Sequence, residues 1–149
     1  MKNALFILCL FLFPLEMVAQ FENYNSEPEW LKDAKFGIYF HWGVYSVPAY
    51  SYEWYPRLMF MENRKEYKCH KEHYGDPKKV GYEALVPLFK AEKFNAKEWV
   101  DLFQLAGAKF AGPVAEHHDG FAMWDTQTTP WNSVLMGPQK DIVFEPAFR

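Results

Sequence analysis

The spacing of hydrophobic and polar positions changes character several times along the chain. Residues 1–20 begin Met-Lys-Asn, run apolar from Ala4 to Phe13, and leave through Pro14-Leu-Glu-Met-Val-Ala19-Gln20. A cationic head, an apolar middle and a small-residue exit are the layout of a secretory signal peptide. The apolar run is too short for a bilayer span, which needs about 20 such residues. Cleavage is expected near Ala19, giving a signal peptide over 1–19 and a folded portion over 20–149. Met17 stands where a small residue is preferred, so an uncleaved anchor is the alternative.

After a polar lead-in (Gln20 to Pro28), Lys35 to Gly43 is nearly continuously apolar and β-favouring, which predicts a strand buried on both faces. Val44 to Met61 is aromatic and punctuated by Pro48 and Pro56, and reads as a long loop. Glu62 to Lys79 is charged, with a solvated helix expected around Arg64 to His73 and a turn at Gly75-Asp-Pro77. The next helix is better marked. Asn95 and Glu98 form a capping-box pattern, Gly107 stops the run, and Trp99, Leu102, Phe103 and Ala106 fall on one face. A second strand from Lys109 runs into the polar cluster His117-His118-Asp119-Gly120, with a bulge expected at Pro113 because proline cannot donate to a ladder. Strand, excursion, helix, strand is the βαβ order, so the fold class is α/β with a parallel sheet. The tail from Thr126 to Arg149 is Pro-rich before a helix expected from about Lys140, with Pro146 inside it. Two or three parallel strands leave open edges that must be covered.

Composition narrows the classes of function. Half of the 149 residues are apolar, with 14 Phe, 9 Tyr and 6 Trp, so the chain can build a core. A net charge of −3 without a basic block excludes nucleic acid as an expected partner. Cys9 lies in the leader, which leaves Cys69 as the single thiol after cleavage and allows no intrachain disulfide. Lys68, His70, Lys71 and His73 around Cys69 either favour its thiolate or surround an incidental surface thiol.

Candidate chemistry gathers at the strand ends. His41 closes the first strand and His117-His118-Asp119 the second, and parallel strands bring those ends to one edge, where α/β folds build their sites. Three readings of the histidines stay open. A metal could be shared by His117 and His118 only if the chain bends there, since adjacent strand residues point to opposite faces. The rings could instead satisfy buried backbone groups. Or they could bind a polyhydroxylated ligand, for which neutral imidazole offers one donor and one acceptor. Trp42 and Glu53-Trp54-Tyr55 favour the last, with flat rings for C–H faces and a carboxylate for hydroxyls. His70-x-x-His73 reads as solvated surface. Glu116, Asp119 and Asp125 are available carboxylates, but their spacing does not define a glycosidase pair.

Phe36-Gly-Ile-Tyr-Phe-His-Trp-Gly-Val-Tyr-Ser-Val-Pro48, Glu53-Trp-Tyr55, Ala106-Gly-Ala-Lys-Phe110, His117-His-Asp-Gly-Phe121, Trp124-Asp125 and Trp131-Asn-Ser133 together resemble the N-terminal part of family 29 α-L-fucosidases. The likeness runs from about Trp30 to Arg149, 120 of the 149 residues. It implies a retaining glycoside hydrolase that releases terminal L-fucose from fucosylated glycans, on a (β/α)8 barrel of which this chain holds an incomplete N-terminal part. It further implies that His41, His117 and His118 hydrogen-bond the fucose hydroxyls and that Glu53 and Trp54 line the same pocket. No metal or organic cofactor is implied. The family's nucleophile and acid/base fall beyond Arg149, so the chain is expected to lack catalytic residues and to be inactive alone. The exported chain is expected in the periplasm or outside the cell, or in a lysosomal-type compartment if the source is eukaryotic. Three departures stand out: Glu116 where the family often carries a basic residue, an unusually apolar Val134-Leu-Met-Gly-Pro-Gln-Lys-Asp141, and Phe144-Glu-Pro146 near the end. A non-catalytic carbohydrate-binding module and a ligand-free remnant are the alternatives.

Overall fold

The structure, a computed structural model, describes residues 27–144. The leader with Cys9, and Pro146 with the rest of the expected last helix, lie outside the described residues. The chain divides into two compact units, residues 1–35 and 36–149. In the first, α1 (Glu29–Asp33) follows Pro28 and carries a Lys32–Glu29 ion pair.

The second unit runs β1 (Gly37–Phe40), a 3-10 turn (Val44–Ser46), α2 (Tyr55–Leu58), α3 (Lys65–His73), a longer 3-10 helix (Tyr82–Leu88), α4 (Ala96–Leu105) and β2 (Phe110–Pro113). β1 and β2 pair in parallel, from Gly37 opposite Phe110 to Phe40 opposite Pro113. The α/β order read from the sequence is therefore present.

Pro113 needs no bulge, contrary to expectation. The register is unbroken, and the donor to the Phe40 carbonyl is the Val114 amide at 2.9 Å. Successive strand amides point to opposite sides, so the N–H that Pro113 lacks would face away from β1.

The first strand is shorter and more open than expected. Only Gly37–Phe40 is extended, and Tyr39 is 69% exposed, because β2 is its one neighbour among the described residues. In α4 the Asn95 side chain accepts from the Glu98 amide at 3.2 Å while its amide group donates to the Glu98 carboxylate at 2.9 Å. Gly107, at φ 92°, ends the helix where expected. The predicted apolar face divides. Trp99 and Phe103 pack against Phe40, with ring centroids 5.6 Å apart in both cases. Leu102 and Ala106 on the same predicted stripe are exposed, as is Leu105.

The main core lies in the connecting segments. Val44, Tyr45, Tyr55, Met59, Leu85 and Phe121 are buried together, and Ile142 joins them from the tail. The segment read as an irregular loop thus supplies a 3-10 turn, α2 and four core side chains. Residues 141–144 form a turn in place of a helix start, with the Asp141 carboxylate accepting from the Val143 and Phe144 amides. Asn132, fully buried, accepts from the Val134 and Leu135 amides and donates to the Thr129 carbonyl, so this part of the Trp131-Asn-Ser133 motif is structural.

Candidate functional site

Two connections carry the site. β1 ends at Phe40, and the next ring, Trp42, is fixed between Phe89 and Trp99 at 5.1 and 5.0 Å, which places His41 at the mouth of the strand. β2 ends at Pro113, four residues before His117. His117 to Gly120 is a turn closed by the Gly120 amide on the His117 carbonyl at 3.0 Å, with Gly120 at φ 69°. The strand expected to run into the histidines has stopped. His117 and His118 therefore do not point to opposite faces: their rings lie 4.5 Å apart at 68°.

The structure brings together all five residues singled out for the pocket. His41 and His117 meet edge to face at 5.1 Å, and Trp54 stacks on His118 at 4.2 Å and 17°. His118 Nε2–H donates to the Glu53 carbonyl at 3.2 Å. Trp54 is the N-cap of α2, whose Tyr55, Pro56 and Leu58 are buried, so the indole is carried on an anchored turn while 40% of it stays exposed. One ligand atom each from His41, Glu53 and His117 lie within 4.8 Å of one another.

That spacing bears on what the cluster can hold. Two groups bonded at about 2.8 Å to one hydroxyl, at a tetrahedral angle, stand about 4.6 Å apart. Two ligands of one zinc ion, at about 2.1 Å from it, stand about 3.4 Å apart. Both separations fall within the 4.8 Å limit, so these residues could share a hydroxyl group or take a metal.

Burial is the main force holding His117 below the ordinary imidazole pKa, helped by the nearby His118 and His41 and opposed by Asp119 and Glu53. The ring is accordingly neutral at pH 7, with one donor and one acceptor. Its Nδ1 is buried and has no hydrogen-bond partner among the described residues.

Asp119, one of the available carboxylates, is structural. Tyr82 donates to its Oδ2 at 2.7 Å, the Phe121 amide to its Oδ1 at 3.2 Å, and Trp131 Nε1–H to its carbonyl at 3.2 Å. Burial first, and then the Asp119 charge, push the Tyr82 phenol far above its ordinary range. Tyr45 touches His117 at 5.7 Å and was not singled out, although it lies within the motif that begins at Phe36. Tyr82 lay in no motif and offered no signal.

Outside the pocket, one expectation is corrected and one alternative is decided. His70 is fully buried, not solvated, because Tyr55 and Val80 supply partners from 10 to 15 residues away. Burial pushes the Cys69 thiol up, with Glu72 and Glu66 adding to the effect, so the neighbouring cations do not make it a thiolate.

Fold and site together define an α/β chain with a ring-rich polar cluster at its strand ends. The α-L-fucosidase family model matches residues 15–147. Human plasma α-L-fucosidase is 42% identical over 120 residues, covering 79% of this chain and 25% of that protein. Rat tissue α-L-fucosidase is 43% identical over 120 residues, covering 79% and 26%. The solved α-fucosidase of Thermotoga maritima superposes with a TM-score of 0.75 at 39% identity, covering 80% of this chain and 30% of that one. A second Thermotoga maritima structure, in complex with fucose, gives 0.74 at 39%, covering 80% and 31%. The chain belongs to the α-L-fucosidase family. It spans about a quarter of the length of these curated relatives.

Proposed function

We propose that the chain forms the fucose-binding part of a retaining α-L-fucosidase acting on fucosylated glycans. His41, His117 and His118 bind the sugar hydroxyls, Glu53 accepts from them, and Trp54 covers a C–H face. The observation that carries this is the convergence of His41, Glu53 and His117, with ligand atoms within 4.8 Å of one another, beside the exposed Trp54.

In this reading residues 20–149 are the N-terminal portion of a (β/α)8 barrel. The exposed Phe36, Tyr39 and Phe110 on and beside the two strands support it, being apolar positions that further barrel elements would cover. The export layout of residues 1–19 supports an extracytoplasmic site of action. Retaining hydrolysis needs two carboxyl groups about 5–5.5 Å apart. Asp119 is committed to Tyr82 and Phe121, and the reading keeps the assignment of nucleophile and acid/base to positions beyond Arg149 that the resemblance implies.

Titration of the 149-residue polypeptide with L-fucose, followed by two-dimensional NMR, tests the reading. Binding that exceeds binding of D-glucose and is lost in His117→Ala is expected, with no cleavage of a nitrophenyl α-L-fucoside. Equal or absent response to the two sugars overturns it.

A further inference from the structure

Glu53 and Trp54 sit in a short segment whose geometry is not self-supporting. Ala49 and Ser51 hold φ of 48° and 69°, a left-handed conformation that non-glycine residues adopt at a cost. Such strain persists only where surrounding contacts impose it. On the pocket side His118 holds the Glu53 carbonyl and the Trp54 ring, and on the other side the contacts come from α3. Ser51 Oγ donates to Glu66 Oε1 at 2.6 Å, and Glu66 is fully buried. Four residues on in both segments, Tyr55 bonds His70 at 3.1 Å, and both are fully buried. The Val80 carbonyl, 2.9 Å from His70 Nε2, places the proton on that nitrogen, so Nδ1 accepts from the Tyr55 hydroxyl. The Lys65 ammonium lies 5.6 Å over the Tyr50 ring, a third link.

We propose that Glu66 and His70 are positioning residues: as an i, i+4 pair they clamp Ser51 and Tyr55, and so fix the Glu53–Trp54 wall of the pocket from behind. Its bearing on sugar binding rests on the proposed fucose site. A charged carboxylate buried away from the pocket is otherwise costly, and a neutral side chain would serve packing as well. Burial works to raise the Glu66 carboxyl, but hydrogen bonds from Ser51 and its own amide, with the Arg64 charge, outweigh it and leave the group ionised below the usual range. The ionised form makes the stronger acceptor for Ser51.

The test uses the 149-residue chain labelled with 5-fluorotryptophan, whose six tryptophans give six fluorine signals, Trp54 being assigned with Trp54→Phe. Glu66→Ala and Ser51→Ala are expected to shift or broaden the Trp54 signal and to leave those of Trp42 and Trp99 in place. Glu66→Gln, which still offers Ser51 an acceptor, is expected to restore the Trp54 signal. Fucose affinity should fall about tenfold in the two alanine variants and recover to within about threefold in Glu66→Gln. A Trp54 signal unmoved in both alanine variants overturns the clamp. If Glu66→Ala loses the Trp42 and Trp99 signals as well, it has unfolded, and Ser51→Ala, which leaves α3 unaltered, decides. Failure of the unsubstituted chain to bind fucose overturns the sugar site instead, and the Trp54 signal still judges the clamp.

Discussion

Tyr82→Phe removes one oxygen and isolates a single interaction. The phenol donates to Asp119 Oδ2 at 2.7 Å, and Tyr82 is only 7% exposed, so water cannot readily replace it. Its pKa is raised far enough that it remains a donor at any working pH. A hydrogen bond to a charged partner contributes about 1.5–3 kcal/mol. Asp119 keeps the Phe121 amide and is partly exposed, which argues for the lower half of that range. With a urea slope of about 1–3 kcal/mol/M, the unfolding midpoint should drop by about 1 M. Urea titration followed by circular dichroism measures it, with Tyr52→Phe as a control on an exposed ring. Because the turn from His117 to Gly120 contains Asp119, the His117 and His118 resonances should also move. A midpoint within about 0.2 M of the parent would refute the assignment of Asp119 as the anchor of that turn.

Three further outcomes follow from the same structure. His117 has a folded pKa below its unfolded value near 6.5, so the unfolded state binds more protons in that window; stability should fall as pH drops below about 6.5, and His117→Gln should flatten the profile. Leu85→Ala opens a cavity at a fully buried position and should cost about 2–4 kcal/mol by urea titration, with the loss concentrated in slower-exchanging core amides. Gly137→Ala should destabilise by more than about 1 kcal/mol, since Gly137 holds φ 62° and a β-carbon there would stand 3.0 Å from the Val86 carbonyl; an unchanged thermal midpoint would contradict this.

Features set by short-range chemistry were legible in the sequence, and those set by distant partners were not. The Asn95–Glu98 cap and the Gly107 stop lie within one helix, so their residue types alone mark it. The parallel pairing followed from the order of elements. The 3-10 helix Tyr82–Leu88 escaped notice because Pro87 interrupts its apolar spacing, and its burial is decided by Tyr45 and Tyr55 across the core. His70 read as solvated because its neighbours Lys68 and Lys71 are charged, while the partners that bury it come from other segments. The five pocket residues were legible as candidates from the strand ends and the aromatic setting, and the resemblance added their roles. Strand alternation alone would have separated His117 from His118, and the turn closed by Gly120 is what turns both rings to one side.

The orientation of Pro113 has a consequence for self-association. On the side of β2 turned away from β1, alternation leaves Ala111 and Pro113 as the outward positions, and only Ala111 has an N–H to offer. A foreign strand laid against that side would find one donor where a regular four-residue strand presents two. The proline thus makes β2 a poor template for cross-strand aggregation, a protection built into the backbone that needs no charged side chain.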